Sequence, residues 1–139
     1  MVKRPGLFPT FFLSGFECST FLWKDRKRRD LVAETQHRQH AREDYGILRE
    51  LGIAVSREGI PWPLVERNGT YDFSSIDPMI EAMLETKVLP IWDLCHYGYP
   101  DELDPFADHF AHAFASYCRA AAEYVVARMP PPYFFTPIN

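Results

Sequence analysis

Polar side chains capable of chemistry stand at the ends of four short apolar segments of this 139-residue chain. In chain order these ends carry Glu17, then Arg57 with Glu58, then Asp93 with His96, and finally Asn139. A carboxylate, a guanidinium, an imidazole and an amide together supply donors and acceptors that can hold a hydroxyl-rich ligand in a fixed orientation. Glu17, Arg57, His96 and Asn139 are therefore the predicted substrate-binding residues.

Aromatic residues near these ends could supply flat apolar faces beside such a ligand. The candidates are Tyr97, Tyr99, Trp62 and Trp92. A single polar residue at a strand end is more often a cap or an ion-pair partner than a ligand contact. Because four segments in succession end in polar residues, the pattern as a whole favours a binding site.

The elements that must position these residues alternate between short apolar runs and longer amphipathic stretches. Strands are predicted at 11–17, 53–57, 88–94 and 133–138; helices are predicted at 35–52, from Ser74 or Ser75 onward with Pro78 in the first turn, and at 106–129. Strands that alternate with helices imply crossover connections and a parallel sheet.

The fold class predicted from this order is α/β, with strand, helix, strand, helix, strand, helix and strand in succession. Gly15 stands alone after the first strand, so the glycine-rich fingerprint of a dinucleotide-binding fold is missing. A (β/α)8 TIM barrel typically needs about 250 residues. Residues 1–139 are therefore predicted to form one partial domain, the N-terminal half of such a barrel, with the working residues at the C-terminal ends of its strands.

Composition excludes several classes of function. The net charge of −4 disfavours a broad nucleic-acid surface, and no apolar run approaches the length of a membrane span. Two prolines interrupt the apolar N-terminal stretch, which favours a buried strand over a signal peptide. Three widely spaced cysteines predict a reducing, cytoplasmic location without a disulfide framework.

Other polar groups are interpreted as structural or solvated, and neither a metal nor a cofactor is predicted. The groups are His109 and His112 with Asp108, His37 with His40, and the basic run 24–29. The histidine pairs lack a firm third ligand, so a solvated helix edge is the preferred interpretation. Cys95 and His96 are neighbours on a strand and point to opposite faces, which disfavours a catalytic pair.

Several spaced motifs resemble glycoside hydrolase family 1, the β-glucosidase-like retaining enzymes. The stretch "HAREDYGILRELGIAVSREGIPW" has an ED pair before a helix ending in ELGI, and an arginine five residues before a tryptophan. "PIWDLCHYGYP" is similar to the third-strand segment of the family, and "TPIN" to its Thr-x-Asn-Glu stretch. The resemblance spans residues 11–139 and is closest to divergent, shorter members, some of which are attached to sugar-nucleotide reductase domains.

The resemblance places Arg57, His96 and Asn139 in the glycone-binding site of the family. Glu17 falls where the family usually has a glutamine that binds sugar hydroxyls, and Tyr97 replaces the usual tryptophan after the histidine. The catalytic acid/base glutamate of the family would come immediately after Asn139, and the nucleophile on a later strand. Retaining hydrolysis needs both carboxylates, about 5 Å apart.

The resemblance thus implies a retaining O-glycosidase acting on β-glycosides, with a carbohydrate ligand. The residues present predict a truncated half barrel that is inactive alone and that can self-associate through open sheet edges. Two alternatives stay open at this point. One is a non-catalytic carbohydrate- or protein-binding module, and the other is a complete small α/β domain with a different activity.

Overall fold

The computed structural model describes residues 6–139 as a mixed α/β fold built on a parallel sheet. Its strands are, in chain order, β1 (Ser14–Gly15), β2 (Thr20–Leu22), β3 (Arg28–Asp30), β4 (Val55–Gly59), β5 (Glu66–Arg67), β6 (Thr70–Tyr71), β7 (Leu89–Asp93) and β8 (Phe135–Thr136). The main sheet has the order β1-β4-β7-β8, and all its pairs are parallel. The predicted α/β class with a parallel sheet is confirmed.

The strand register brings the C-terminal ends of the four main strands to one edge of the sheet. Gly15 pairs with Arg57, Gly59 pairs with Asp93, and Asp93 pairs with Thr136. The central strand β7 lies within the predicted 88–94, whereas β4 is shifted by two residues from the predicted 53–57, so that Arg57 lies in the middle of this strand and not at its end. β1 and β8 are much shorter than the predicted 11–17 and 133–138, since an edge strand has a ladder partner on one side only within the described residues.

The helices are α1 (Leu31–Glu34), α2 (His37–Glu50), α3 (Trp62–Val65), α4 (Asp77–Thr86) and α5 (His109–Val126), with a 3-10 turn at Ser74–Ile76. Pro78 lies in the first turn of α4, as predicted. The predicted serine cap does not form, because Ser74 and Ser75 lie in the 3-10 turn and the residue at the N-cap of α4 is Ile76, which makes no side-chain capping hydrogen bond. Among the described residues, no helix combines the length and apolarity needed to cross a bilayer.

The core lies between the sheet and its helices, and Tyr117 of α5 ties the two layers together. Its hydroxyl donates to the carbonyl oxygens of Ile60 (3.0 Å) and Leu94 (2.8 Å), just beyond β4 and β7. Its ring stacks on Trp62 with centroids 4.9 Å apart. Trp62 is 0% and Trp92 is 1% exposed. The prediction that these tryptophans present faces to a ligand is therefore wrong, because both rings are packed in the hydrophobic core.

The loop after β7 is held tightly against the excursion that follows β1. A Cβ on Gly98 would collide with the backbone of Thr20, so only glycine allows this approach. The backbone N–H of Thr20 donates to the carbonyl of His96 at 3.3 Å. Arg28 clamps the same junction by donating to the carbonyls of Thr20 (3.1 Å) and Tyr99 (3.0 Å) and by pairing with Asp101. The sequence predicted that the basic run 24–29 is solvated. For Arg28 this prediction is wrong, because its side chain makes these contacts.

Candidate functional site

Asp93, at the C-terminal end of β7, is the centre of a polar cluster at the edge of the sheet. Its side chain is fully buried. Its Oδ2 accepts from the Asn139 amide at 3.0 Å, lies 3.2 Å from Arg57 Nε, and lies 3.6 Å from His96 Nδ1. Three of the four predicted substrate-binding residues therefore converge on one carboxylate. The sequence analysis named Asp93 as a polar strand-end residue but did not predict that it would be their shared partner.

Backbone contacts explain why these three residues meet. Arg57 pairs with Ile91 in the β4–β7 ladder, and Asp93 lies two residues further along β7 on the same face. The backbone N–H of Leu94 donates to Thr136 at 2.9 Å, and that of Asn139 donates to Cys95 at 3.0 Å. The segment after β8 thus continues beside β7 and carries its last side chain to Asp93.

Glu17, the fourth predicted residue, lies on the loop between β1 and β2 and turns back on that loop. Its Oε1 accepts from the backbone N–H of Ser19 at 3.0 Å and from the Ser19 hydroxyl at 2.5 Å. These two hydrogen bonds lower the pKa of Glu17, and the nearby charge of His96 adds to the effect. The carboxylate is exposed and ionised at neutral pH, and it makes no direct contact with Asp93.

Cys18 is a member of the cluster that sequence reasoning missed. Its Sγ lies 3.1 Å from His96 Nδ1 and 3.9 Å from Asp93 Oδ2. Burial, followed by the charges of Asp93 and Glu58, raises the pKa of Cys18 to about 12. Cys95, the neighbour of His96 in sequence, instead donates to the Gly98 carbonyl at 3.3 Å, and both residues lie beyond the end of β7. One sequence feature could have identified Cys18 as a member of the cluster: it directly follows Glu17, a carboxylate at a predicted strand end.

A second polar network lies on the other side of β4, against α2. Glu58 Oε1 lies 3.4 Å from His37 Nε2, and His37 Nδ1 lies 2.6 Å from Asp44. Phe16 stacks on the His37 ring at 3.8 Å. Burial alone would lower the pKa of His37, but its hydrogen bonds and charge contacts with Glu58 and Asp44 outweigh burial and raise it.

The prediction that His37 lies on a solvated helix edge is therefore wrong, since its side chain is 1% exposed. His40 differs: its side chain is 50% exposed, and it pairs with Glu43 at 3.1 Å. The periodicity of α2 places both histidines on the same helix, but only tertiary packing distinguishes a position facing β4 from one facing solvent.

The two predicted tyrosines have different surroundings. Tyr97 is 72% exposed, and its ring lies 5.1 Å from that of His96. Its φ of 58° turns the chain sharply after His96, a conformation uncommon for a non-glycine residue. Tyr99 is half-buried and packs edge-on against Phe110. Of the four aromatic candidates, Tyr97 is the one that presents an open face beside the cluster.

Comparison with known proteins gives matches among solved structures. A psychrophilic β-glucosidase, BglU from Micrococcus antarcticus, has 24% identity and a TM-score of 0.62, and the match covers 78% of this chain and 24% of that one. The β-glucosidase of Thermotoga maritima in complex with a substituted glucoimidazole has 25% identity, a TM-score of 0.59, and coverage of 71% and 24%. A GH1 β-glucosidase from Humicola insolens in complex with glucose has 25% identity, a TM-score of 0.56, and coverage of 72% and 23%.

No family model and no curated protein matches the sequence. The chain spans about a quarter of the length of these β-glucosidase structures. The match at 24% identity establishes the fold alone, and the matches at 25% identity are also to β-glucosidases. Over 71 to 78% of its length, this chain resembles the glycoside hydrolase family 1 β-glucosidases.

Proposed function

We propose that this chain is the sugar-binding portion of a family 1-like retaining β-glycosidase. The observation that carries the proposal is the convergence of Arg57, His96 and Asn139 on the buried Asp93 at the C-terminal end of a parallel sheet. In a β/α barrel this end is where ligands bind. The resemblance to β-glucosidase structures supports a β-glycoside as the ligand class.

The cluster has groups free to face a sugar. The Asn139 amide uses its N–H on Asp93, which leaves its carbonyl oxygen to accept from a hydroxyl. The polar contacts of the His96 ring use Nδ1, so Nε2 is the ring nitrogen that remains for a ligand, on a side chain that is 8% exposed. The Arg57 side chain is 39% exposed and can donate to an oxygen. The open ring of Tyr97 adds an apolar face against which a sugar ring can pack.

Retaining hydrolysis requires a pair of carboxylates that both reach the glycosidic bond, about 5 Å apart. At the C-terminal end of the described sheet, Asp93 is fully buried with its Oδ2 held by Arg57 and Asn139, and Glu58 faces His37 on the opposite side of β4. Glu17 has a lowered pKa, the reverse of what a general acid needs. We therefore assign the acid/base and nucleophile to a part of the barrel outside this sequence, so that the isolated chain binds sugar without hydrolysing it.

The half-barrel architecture belongs to the same proposal. Within residues 6–139 the main sheet has four parallel strands, with β1 and β8 at its edges. A complete barrel has eight strands and no edges. Association of the isolated chain through these edges follows from the proposal, and sedimentation velocity would detect it.

Binding is tested by titrating the folded chain with glucose while the imidazole signals are followed by NMR. We expect the chemical shift of the His96 signal to change with glucose until it saturates, and this saturable change to be lost in Arg57→Ala. The signal of the exposed His112 on α5 should not change and serves as the internal control. If the chain is folded and the His96 signal does not change when glucose is added, the proposed site is contradicted.

Catalysis is tested separately with an aryl β-glucoside. We expect no release of the aryl group above the buffer blank. Turnover by the isolated chain that disappears in Asp93→Asn would contradict the assignment of the catalytic carboxylates to another part of the barrel. The two assays fail independently, because the first measures binding and the second measures bond cleavage.

A further inference from the structure

We propose that Cys18, Asp93 and His96 form a binding site for a divalent cation of the zinc class. Among the described residues, these three place one sulfur, one oxygen and one nitrogen donor within 4.8 Å of one another. The separations are 3.1 Å for Cys18 Sγ to His96 Nδ1, 3.6 Å for His96 Nδ1 to Asp93 Oδ2, and 3.9 Å for Cys18 Sγ to Asp93 Oδ2. Cation binding at these three residues requires no sugar and does not depend on the proposed function.

The triangle of donors has the size that a single ion requires. Zinc lies about 2.0 to 2.3 Å from nitrogen, oxygen and sulfur ligands, so donors at tetrahedral corners lie roughly 3.3 to 3.8 Å apart. The observed separations of 3.1 to 3.9 Å bracket that range. Small side-chain adjustments would bring all three donors to bonding distance from a common centre.

The ligands come from two segments that the fold already holds together: Cys18 lies on the loop after β1, whereas Asp93 and His96 lie three residues apart at the end of β7. Cys18 packs directly against Gly59 at the end of β4, where a Cβ would collide with the Cys18 side chain. The N–H of Thr20 joins the Cys18 loop to the His96 carbonyl at 3.3 Å. Asp93 ends β7 between its partners Gly59 and Thr136. A site built in this way needs little reorganisation to bind an ion.

A second observation also indicates a missing partner at this position. Asp93 is 0% exposed, yet within residues 6–139 its Oδ1 has no hydrogen-bond partner. A buried, unpartnered carboxylate oxygen carries a desolvation penalty. A cation bound by both oxygens of this carboxylate would give Oδ1 a partner and compensate for that penalty.

The charges facing the cluster allow a cation to bind. Arg57 lies 3.2 Å from Asp93 and opposes a second positive charge. Glu58 and Glu17 are close enough to Cys18 to act on its charge, and both oppose Arg57. The incoming ion would displace the thiol proton of Cys18 to solvent, and the resulting thiolate together with the Asp93 carboxylate would outnumber the single guanidinium. A thiolate and an imidazole select zinc, cobalt or cadmium over calcium or magnesium, and three protein ligands leave a fourth position for water.

The test is a titration of the whole 139-residue chain with Co²⁺ in a phosphine reductant that does not bind the metal through sulfur. We expect a thiolate-to-cobalt charge-transfer band that saturates at one equivalent and disappears when Zn²⁺ displaces the cobalt. Cys18→Ser should abolish the band, and His96→Gln should weaken Co²⁺ affinity at least about tenfold. Cys118→Ser is the matched control, because this half-buried cysteine lies on α5 outside the cluster.

Absence of the band in the folded wild-type chain would overturn the inference, and so would an equal band in Cys18→Ser. If the Cys18 variant fails to fold, X-ray absorption on the zinc-loaded wild-type chain replaces it. One sulfur with nitrogen or oxygen ligands supports the site, and a shell without sulfur overturns it.

Discussion

Two buried carboxylates on neighbouring strands, Asp93 on β7 and Glu58 on β4, have opposite surroundings. Both are 0% exposed, and each has one oxygen without a hydrogen-bond partner among the described residues. The partners of Asp93 include the exposed Asn139 and an Arg57 side chain that is 39% exposed. Glu58 instead contacts His37 and Ser56, which are 1% and 0% exposed.

The two networks differ in their access to solvent. Under the proposed function, the partly exposed partners of Asp93 can exchange a contact for a ligand. The Glu58 network lies between β4 and α2, where losing a contact leaves an uncompensated polar group. Variants of the two carboxylates should therefore affect different measurements.

The largest effect is expected from Glu58→Ala. Glu58→Ala removes the carboxylate beside His37 Nε2 and leaves Asp44, among the described residues, as the one charged partner of the buried ring, at a cost of about 3 to 5 kcal/mol in the free energy of unfolding. Urea denaturation followed by far-UV circular dichroism measures it. Glu43→Ala is the matched control on α2, since the Glu43 side chain is 78% exposed and pairs with the exposed His40. A Glu58→Ala loss no larger than that of the control would show that the network is not stabilising.

Asp93→Asn should act mainly on ligand binding. The amide keeps the size of the side chain but loses the negative charge that orients Arg57 and Asn139. We expect glucose affinity to fall about tenfold, which is about 1.4 kcal/mol, measured by the NMR titration. Asp25→Asn, an exposed carboxylate in the turn between β2 and β3, should leave affinity unchanged. Unaltered glucose affinity in Asp93→Asn would contradict a role for Asp93 in ligand binding.

The His37 network should make stability depend on pH. The folded-state pKa of His37 is raised above its ordinary value of 6.5. A raised pKa means that the folded state holds the proton more tightly, so the added stability is complete below pH 6.5 and is lost as the pH rises through the folded-state pKa. Urea midpoints measured across this window should fall in the wild type and stay flatter in His37→Gln. Parallel slopes for the two proteins would contradict the assignment.

The smallest effect is expected from Tyr97→Ala. Because Tyr97 is 72% exposed, its removal should change the free energy of unfolding by no more than about 0.5 kcal/mol. It should still weaken glucose binding, since it removes the open aromatic face beside His96. Tyr99→Ala provides the contrast: its half-buried ring packs on Phe110, so stability should fall. Equal effects of the two variants on binding would show that Tyr97 does not face the ligand.

Much of the fold could be predicted from local patterns. The helix periodicity around Tyr45 and Leu48, the turn residues and the apolar runs around Val55 and Ile91 depend on near neighbours in sequence. The parallel sheet follows from their alternation. Edge-strand lengths could not be predicted, because the extent of a ladder depends on which partner lies alongside β1 and β8.

By itself, the sequence determined which polar side chains lie in or just after the apolar runs, because strand period and turn chemistry are short-range properties. Arg57, His96 and Asn139 were found in this way. Only the tertiary structure decided that Asp93 is their shared partner, that Cys18 reaches His96 from 78 residues away, and that Trp62 and His37 are buried. Burial and long-range pairing depend on which faces of the sheet the helices cover, and no local pattern encodes that choice.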